Sequence, residues 1–246
     1  MKAMIFAAGL GTRLRPLTDH RPKALVEING RTLLELTLTR LRSYGVREVI
    51  VNVHHFTDMV IEYLKANADF GMRVEISRED VLLDTGGGLK KAGHFFVDSR
   101  SDEPFIVHNV DVLSTIDLAR MLESHRENKC LATLAVQSRK SSRHLLFDRH
   151  LQLCGRMVGG GPAQFVRPCQ QPLSLAFSGI HIVSPSLVAR MSEVGAFPII
   201  TSYLRLAAQG ERILAFPADE YYWRDLGRPE DIAQATADLR RNVISQ

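Results

Sequence analysis

The feature that most constrains this chain is its amino-terminal run, residues 2–8, which is almost wholly apolar and is broken at once by Gly9-Leu10-Gly11-Thr12-Arg13. An apolar run this short and without alternation reads as a strand buried on both faces, and such strands belong to parallel sheets covered by helices. The chain then alternates strand-like and helix-like segments. Residues 32–43 place leucine at 33, 34, 36, 38 and 41, with Thr32 and Glu35 spaced as a capping box and Gly45 as the stop. Strands are expected over 49–53, 73–77, 105–107 and 131–136, and helices over 58–66 and 88–96. A further helix is expected to run from a Ser114 cap, with Asp117 three positions on, to about Asn128. This is the pattern of an α/β protein with a Rossmann-like mixed, mostly parallel sheet flanked by helices.

The pattern changes after Gln137. Arg139-Lys140-Ser141-Ser142-Arg143 and Gly159-Gly160-Gly161-Pro162 are polar or glycine-rich, and the segments between them are short. A β-rich, substrate-side insertion is expected over 138–175. After it come a strand at 177–183, helices near 185–192 (capped by Ser184) and 199–208, and strands near 212–216 and 221–225. A last helix opens at Pro229-Glu230-Asp231, with proline first and acids in the first turn. A single domain over 1–246 is expected, with one half of about 1–137 and an insertion and C-terminal half of about 138–246.

Composition narrows the partners. Hydrophobic residues at 45% and charged residues at 24% of 246 exclude disordered and fibrous classes. No apolar run approaches the ~20 residues of a membrane span. The amino terminus is too short in its apolar stretch for a signal peptide, so a cytoplasmic location is expected. A net charge of +4 suits an anionic small molecule. There is no basic block interleaved with aromatics, so no nucleic acid is expected. Three cysteines without a C-x-x-C pair suggest neither disulfides nor zinc. His54-His55 with Asp58 reads as loop or core rather than a metal cluster.

The chemistry concentrates at Ala7-Ala8-Gly9-Leu10-Gly11-Thr12-Arg13, followed by Pro22-Lys23. Ligands of open α/β sheets bind outside the carboxyl ends of strands, where this loop falls. Glycines let backbone N–H groups approach phosphate oxygens, Arg13 brings a two-pronged cation, and Lys23 brings a point charge. A dinucleotide fingerprint is excluded by Leu14 at the third glycine position and by Pro16. A Walker A loop is excluded because no Gly-Lys-Ser/Thr follows.

Gly9-Leu10-Gly11-Thr12-Arg13-Leu14 with Pro22-Lys23 resembles the signature of the sugar-1-phosphate nucleotidyltransferases, or nucleotide-sugar pyrophosphorylases. The likeness continues in order through Leu83-Asp84-Thr85-Gly86-Gly87-Gly88, Asn109-Val110-Asp111, Phe177-Ser178-Gly179-Ile180 and Trp223-Arg224-Asp225-Leu226-Gly227-Arg228-Pro229. Among short members, the Thr-Gly-Gly-Gly turn, the Phe-Ser-Gly strand and Gly195-Ala196-Phe197 look like the N-acetylmuramate 1-phosphate uridylyltransferases. The resemblance implies transfer of a nucleotidyl group from an NTP to a sugar 1-phosphate, with loss of pyrophosphate and formation of a UDP- or GDP-sugar. It implies Mg²⁺ held by Asp111 and Asp225, with Arg13, Lys23 and Asp111 as the catalytic set. Nucleotide contacts fall to Ala7, Ala8, Gly9, Gly11, Thr12, Arg13 and the turn Thr85, Gly86, Gly87, whose bare backbone would meet the base. Sugar phosphate falls to Asn109, Arg143 and Gly179, in a monomer or homodimer. The family pattern is broken at Val110, where glycine is common, and by the absence of a Glu-Lys-Pro loop, whose cation Arg143, or else Arg167, would replace. The alternatives are a non-catalytic nucleotide-sugar sensor and a choline-phosphate cytidylyltransferase-like enzyme.

Overall fold

The computed structural model describes residues 1–97 and 102–241. In chain order the strands are β1 (Lys2–Phe6), β2 (Glu27–Ile28), β3 (Arg31–Thr32), β4 (Glu48–Val53), β5 (Arg73–Arg78), β6 (Phe105–Asn109) and β7 (Val112–Ser114). They continue with β8 (Ala132–Gln137), β9 (Arg143–Phe147), β10 (Leu153–Val158), β11 (Gln164–Phe165), β12 (Leu173–Val183), β13 (Ile213–Pro217) and β14 (Trp223–Asp225). The helices are α1 (Leu33–Ser43), α2 (Thr57–Ala66), α3 (Asp84–Lys91), α4 (Leu118–Glu127), α5 (Pro185–Ala189), α6 (Ile199–Ala208) and α7 (Pro229–Arg240). The mixed α/β class expected from the sequence is what the chain adopts.

The chain forms two compact units, each assembled from separate stretches. The first comprises residues 1–83, 107–115 and 222–246. Its strands β1, β4 and β5 are parallel and in simple register, Phe6 opposite Asn52 and Asn52 opposite Ser77. Ala3, Met4 and Ile5 are wholly buried, which explains the apolar run. Helix α1 starts where Thr32 accepts a hydrogen bond from the Glu35 N–H at 3.0 Å. The Glu35 carboxylate does not close the box; it receives Arg31 and the Tyr63 hydroxyl instead. A short antiparallel ribbon pairs Ser114 with Trp223 and Val112 with Asp225.

The second unit comprises residues 84–106 and 116–221. Here the pairing is mostly antiparallel: β12 with β8 and β9, β9 with β10, β10 with β11. Strand β13 runs parallel to β8. The β-rich excursion after Gln137 is therefore present.

Several expected starts move. Ser114 does not cap α4, because it is committed to β7; Asp117 does so, accepting from the N–H groups of Ala119 and Arg120 at 2.9 and 3.1 Å. The Ser184 hydroxyl leaves α5 uncapped and donates to the Cys130 carbonyl at 2.8 Å. Helix α3 begins at Asp84, four residues before the expected Gly88, so Thr85-Gly86-Gly87 is helical rather than a free turn. Cys130 and Cys154 are buried thiols. No helix among the described residues is long and apolar enough to cross a membrane.

Candidate active site

The first unit builds the site at the carboxyl ends of its parallel strands. The peptide joining Phe6 to Ala7, where β1 gives way to the glycine loop, is gripped on both edges. Its carbonyl accepts from the Val110 N–H at 3.1 Å, and its N–H donates to Asn52 Oδ1 at 2.8 Å. The loop then closes on itself: the Gly11 carbonyl receives the Leu14 N–H and the Thr18 hydroxyl, both at 2.8 Å. Gly11 has φ +65°, and a Cβ there would lie 2.9 Å from the Thr18 methyl, so the fold itself demands glycine. Gly9 differs. A Cβ would meet nothing within 4 Å, and its φ is not positive, so nothing in the fold requires glycine there. Ala7 and Ala8 are buried, while Gly9, Thr12 and Arg13 are exposed.

Four charged side chains converge beside this loop. Lys23 opens a 3₁₀ turn behind Pro22 and is only 8% exposed, yet its ammonium has a partner: it donates to Asp111 Oδ2. Asp225 ends β14, and the next residue, Leu226, donates its N–H to the Asp111 carbonyl at 2.8 Å. The ribbon thus explains how two aspartates over a hundred positions apart come together. Asp225 Oδ1 is buried with no hydrogen-bond partner. Burial raises the Asp225 pKa, the Asp111 charge raises it further, and Lys23 and Arg13 oppose both. At Gly227 a Cβ would sit 2.6 Å from Asp225 Oδ1 and 2.7 Å from an Arg13 guanidinium nitrogen, so the glycine leaves room for both groups.

This arrangement suits a divalent cation of the hard, oxygen-preferring kind. Two neighbouring carboxylates, one with an oxygen that no protein group meets, are the kind of donors magnesium accepts alongside phosphates and water. Among the described residues no group of three His, Cys, Asp or Glu side chains could do so unaided. Asn109 ends β6 half-buried, and its carbonyl accepts the Nδ1–H of His108 at 2.7 Å. Burial, and next the Arg40 charge, hold the His108 pKa down to about 4, so the ring is a neutral structural group. Val110, the departure from the family's glycine, is buried and lines a small cavity with Leu33, Thr37, Val112 and Leu226, so it serves α1 packing.

The second unit treats its expected residues differently. The N–H groups of Gly86 and Gly87 both point at the Phe197 carbonyl, at 2.8 and 3.3 Å, and Thr85 Oγ1 accepts from the Ile199 N–H at 2.9 Å. The bare donors expected for a base are engaged, because the start of α3 is docked onto the start of α6. Gly179 has φ +73° where β12 slips register between Phe177 and His181, so a bulge accounts for it. Arg143 is exposed at the start of β9. Arg167 is paired with Asp148 at 3.9 Å.

The nucleotidyl transferase family profile matches residues 2–145, more than half the chain. The chain belongs to the nucleotidyl transferase family. This nucleotidyltransferase is 35% identical to the N-acetylmuramate alpha-1-phosphate uridylyltransferase of Caulobacter vibrioides, over 96% of both chains. It is 30% identical to the mannose-1-phosphate guanyltransferase of Yarrowia lipolytica, over 96% of this chain and 63% of that one. Its fold matches UDP-glucose pyrophosphorylase solved with UDP-glucose, at a TM-score of 0.78, 20% identity and 98% coverage of each chain. It also matches the inositol-1-phosphate CTP transferase of T. maritima, at a TM-score of 0.76, 16% identity and coverage of 99% and 98%.

Sequence reasoning missed three residues of this nucleotidyltransferase. Gly227 was visible inside Asp225-Leu226-Gly227, but only its aspartate was singled out. Asn52, a polar residue at the end of an apolar strand, and Glu79, just beyond β5, carried the signal of polar groups at strand ends and went unused.

Proposed function

We propose that this chain is a Mg²⁺-dependent sugar-1-phosphate nucleotidyltransferase, acting on an NTP and a sugar 1-phosphate as a monomer or homodimer. The observation that carries the reading is the convergence of Arg13, Lys23, Asp111 and Asp225 beside a glycine loop whose Gly9 answers to no packing need. A sugar-phosphate oxygen attacks the α-phosphorus, and the bond to the β-phosphate oxygen breaks as pyrophosphate leaves. Positioning and electrostatics suffice for such a transfer. Bound magnesium would be held by Asp111 and Asp225 and would neutralise phosphate charge. Arg13 takes two oxygens of the leaving pyrophosphate through its planar fork, and the backbone of the loop at Gly9, Gly11 and Thr12 follows the triphosphate. Lys23 fixes Asp111 and lends its charge to the same phosphates.

Ala7 and Ala8 shape the floor beneath the nucleotide. The start of α3, with Thr85, Gly86 and Gly87, is proposed for the base through its shape rather than its amide donors. Asn109, Gly179 and Arg143 are proposed for the sugar phosphate. The uridylyltransferase and guanyltransferase relatives favour a UDP- or GDP-sugar as product. The intact cation–carboxylate cluster speaks against a non-catalytic sensor. Pyrophosphate release is to be assayed with four NTPs against a panel of sugar and choline phosphates, with and without EDTA. One EDTA-sensitive sugar-phosphate pair supports the reading. Turnover of choline phosphate alone, or of nothing, overturns it.

A further inference from the structure

Glu79 is 2% exposed, and both of its carboxylate oxygens accept hydrogen bonds from neutral donors. Oε1 accepts from Asn52 Nδ2 at 2.7 Å, and Oε2 accepts from the Leu83 N–H at 3.0 Å. Its main chain is held as well: its N–H donates to the Val53 carbonyl at 2.7 Å, and its carbonyl faces His54 Nδ1 at 2.8 Å. Asn52, also 2% exposed, passes the order on by accepting the Ala7 N–H. That N–H belongs to the peptide whose carbonyl anchors Val110, the residue before Asp111. One peptide plane therefore sets where the glycine loop departs and where the Asp111 turn begins.

We propose that Glu79 is a positioning residue for nucleotidyl transfer, acting through Asn52 to hold the Phe6–Ala7 peptide that registers the glycine loop against Asp111. The inference rests on the transferase reading above. The direction of the hydrogen bonds makes it specific. Asn52 must turn its oxygen to Ala7, so it has only its NH₂ for position 79. Leu83 also brings a donor. Position 79 must therefore accept at two separate side-chain atoms, which a carboxylate does and a glutamine, with one oxygen and one NH₂, does not. Displacements of about 1 Å remote from the chemistry cost up to ~10²-fold in rate, so a relay with one broken member has a kinetic signature.

The test is a reversal of the relay. Glu79→Gln sets an NH₂ against a donor, and Asn52→Asp sets two carboxylates face to face. The double variant satisfies every group: Ala7 donates to Asp at 52, the new glutamine NH₂ donates to the same Asp, and Leu83 donates to the glutamine oxygen. Each single variant is expected to lower kcat about tenfold, with the KM for NTP moving less than about threefold. The double variant is expected to regain kcat to within about threefold of wild type. Amide hydrogen exchange reads the relay independently of activity: protection at Ala7 or Leu83 falls in the singles and returns at both in the double. Wild-type kcat in Glu79→Gln, or a double variant no better than the poorer single, overturns the proposal. So does a kcat loss that disappears well below the melting temperature. If the wild type turns over no substrate pair, the transferase reading falls and the role of Glu79 with it, whereas the exchange pattern would still report the hydrogen bonds.

Discussion

Gly86, Gly93 and Gly155 of the second unit serve a different end from Gly9 and Gly227 of the first. In the second unit, a Cβ on Gly86 would lie 2.3 Å from the Phe197 ring, one on Gly93 2.6 Å from Val188, and one on Gly155 2.5 Å from the Gln164 carbonyl. These are sites of close packing between elements. In the first unit, Gly227 gives way to Asp225 and Arg13, and Gly9 gives way to nothing in the protein at all. Two polar groups differ in the same way. The amides of Gly86 and Gly87 are satisfied by Phe197, whereas Asp225 keeps an oxygen buried and unpartnered. Gly86 and its amide have a packing explanation; the free space at Gly9 and the unmet oxygen of Asp225 have none within the protein, and the proposed function gives them one.

The largest expected effect tests that division at its centre. Asp111→Asn and Asp225→Asn should each lower kcat by at least about 10²-fold, the scale of removing one preorganised electrostatic group. Steady-state kinetics with both variants folded checks this, and near-normal turnover of either would place the site elsewhere.

Next is Arg13. Arg13→Lys should fall about as far as Arg13→Ala, between roughly tenfold and 10²-fold and mainly in kcat, because a point charge does not reproduce a two-pronged contact that strengthens as the leaving group gains charge. Rescue by lysine would reduce Arg13 to a general cation.

A matched pair of glycine substitutions sets the units directly against each other. Gly86→Ala should destabilise by about 1–3 kcal/mol, since the Phe197 backbone as well as its ring would have to move. Gly227→Ala should act mainly on kcat, by about tenfold, because the atoms displaced are those of Asp225 and Arg13. Denaturant melts and turnover, measured on both variants, separate the two outcomes. A variant pair with indistinguishable profiles would erase the contrast.

Arg143→Ala probes whether the second unit contributes charge after all. The KM for sugar 1-phosphate should rise about tenfold, the ~1.4 kcal/mol scale of one charge-assisted contact, while the KM for NTP stays put. An unchanged sugar-phosphate KM would remove Arg143 from the site.

The smallest effect is one of sign. Because the Asp225 pKa is raised above its ordinary 3.8 by burial and the neighbouring Asp111 charge, the folded chain holds that proton more tightly than the unfolded chain does. The group's contribution is complete below the ordinary value and declines as pH rises through the raised one. Asp225→Asn removes that decline, so metal-free variant and wild type should diverge in favour of the variant as pH climbs to neutrality. Melting curves across that range check it, and a variant that loses ground instead would mean Asp225 is stabilised by its surroundings.

How much was legible beforehand divides along physical lines. The apolar run of β1, the Thr32 cap of α1 and the Pro229 opening of α7 were readable because local periodicity and capping chemistry act within a few residues. The four charged residues of the site were readable one by one, since each sits in a short motif that limits its neighbours. Ser114 was misread as a cap because its fate depends on pairing with Trp223, more than a hundred positions away. Thr85-Gly86-Gly87 was misread as a free turn because only docking against Phe197 shows its amides engaged.

The sequence by itself thus determined the class of fold, the glycine loop at the end of the first strand, and the kinds of charge available there. Local sequence suffices for these because strand burial, capping and loop flexibility are decided by adjacent side chains. Only the tertiary structure decided that Lys23 pairs with Asp111, that Asp225 keeps an unpartnered oxygen beside them, and that Glu79 reaches Ala7 through Asn52. Those are facts of direction and distance between remote segments, and a hydrogen bond or a buried charge gains its meaning from the partner that long-range packing brings to it.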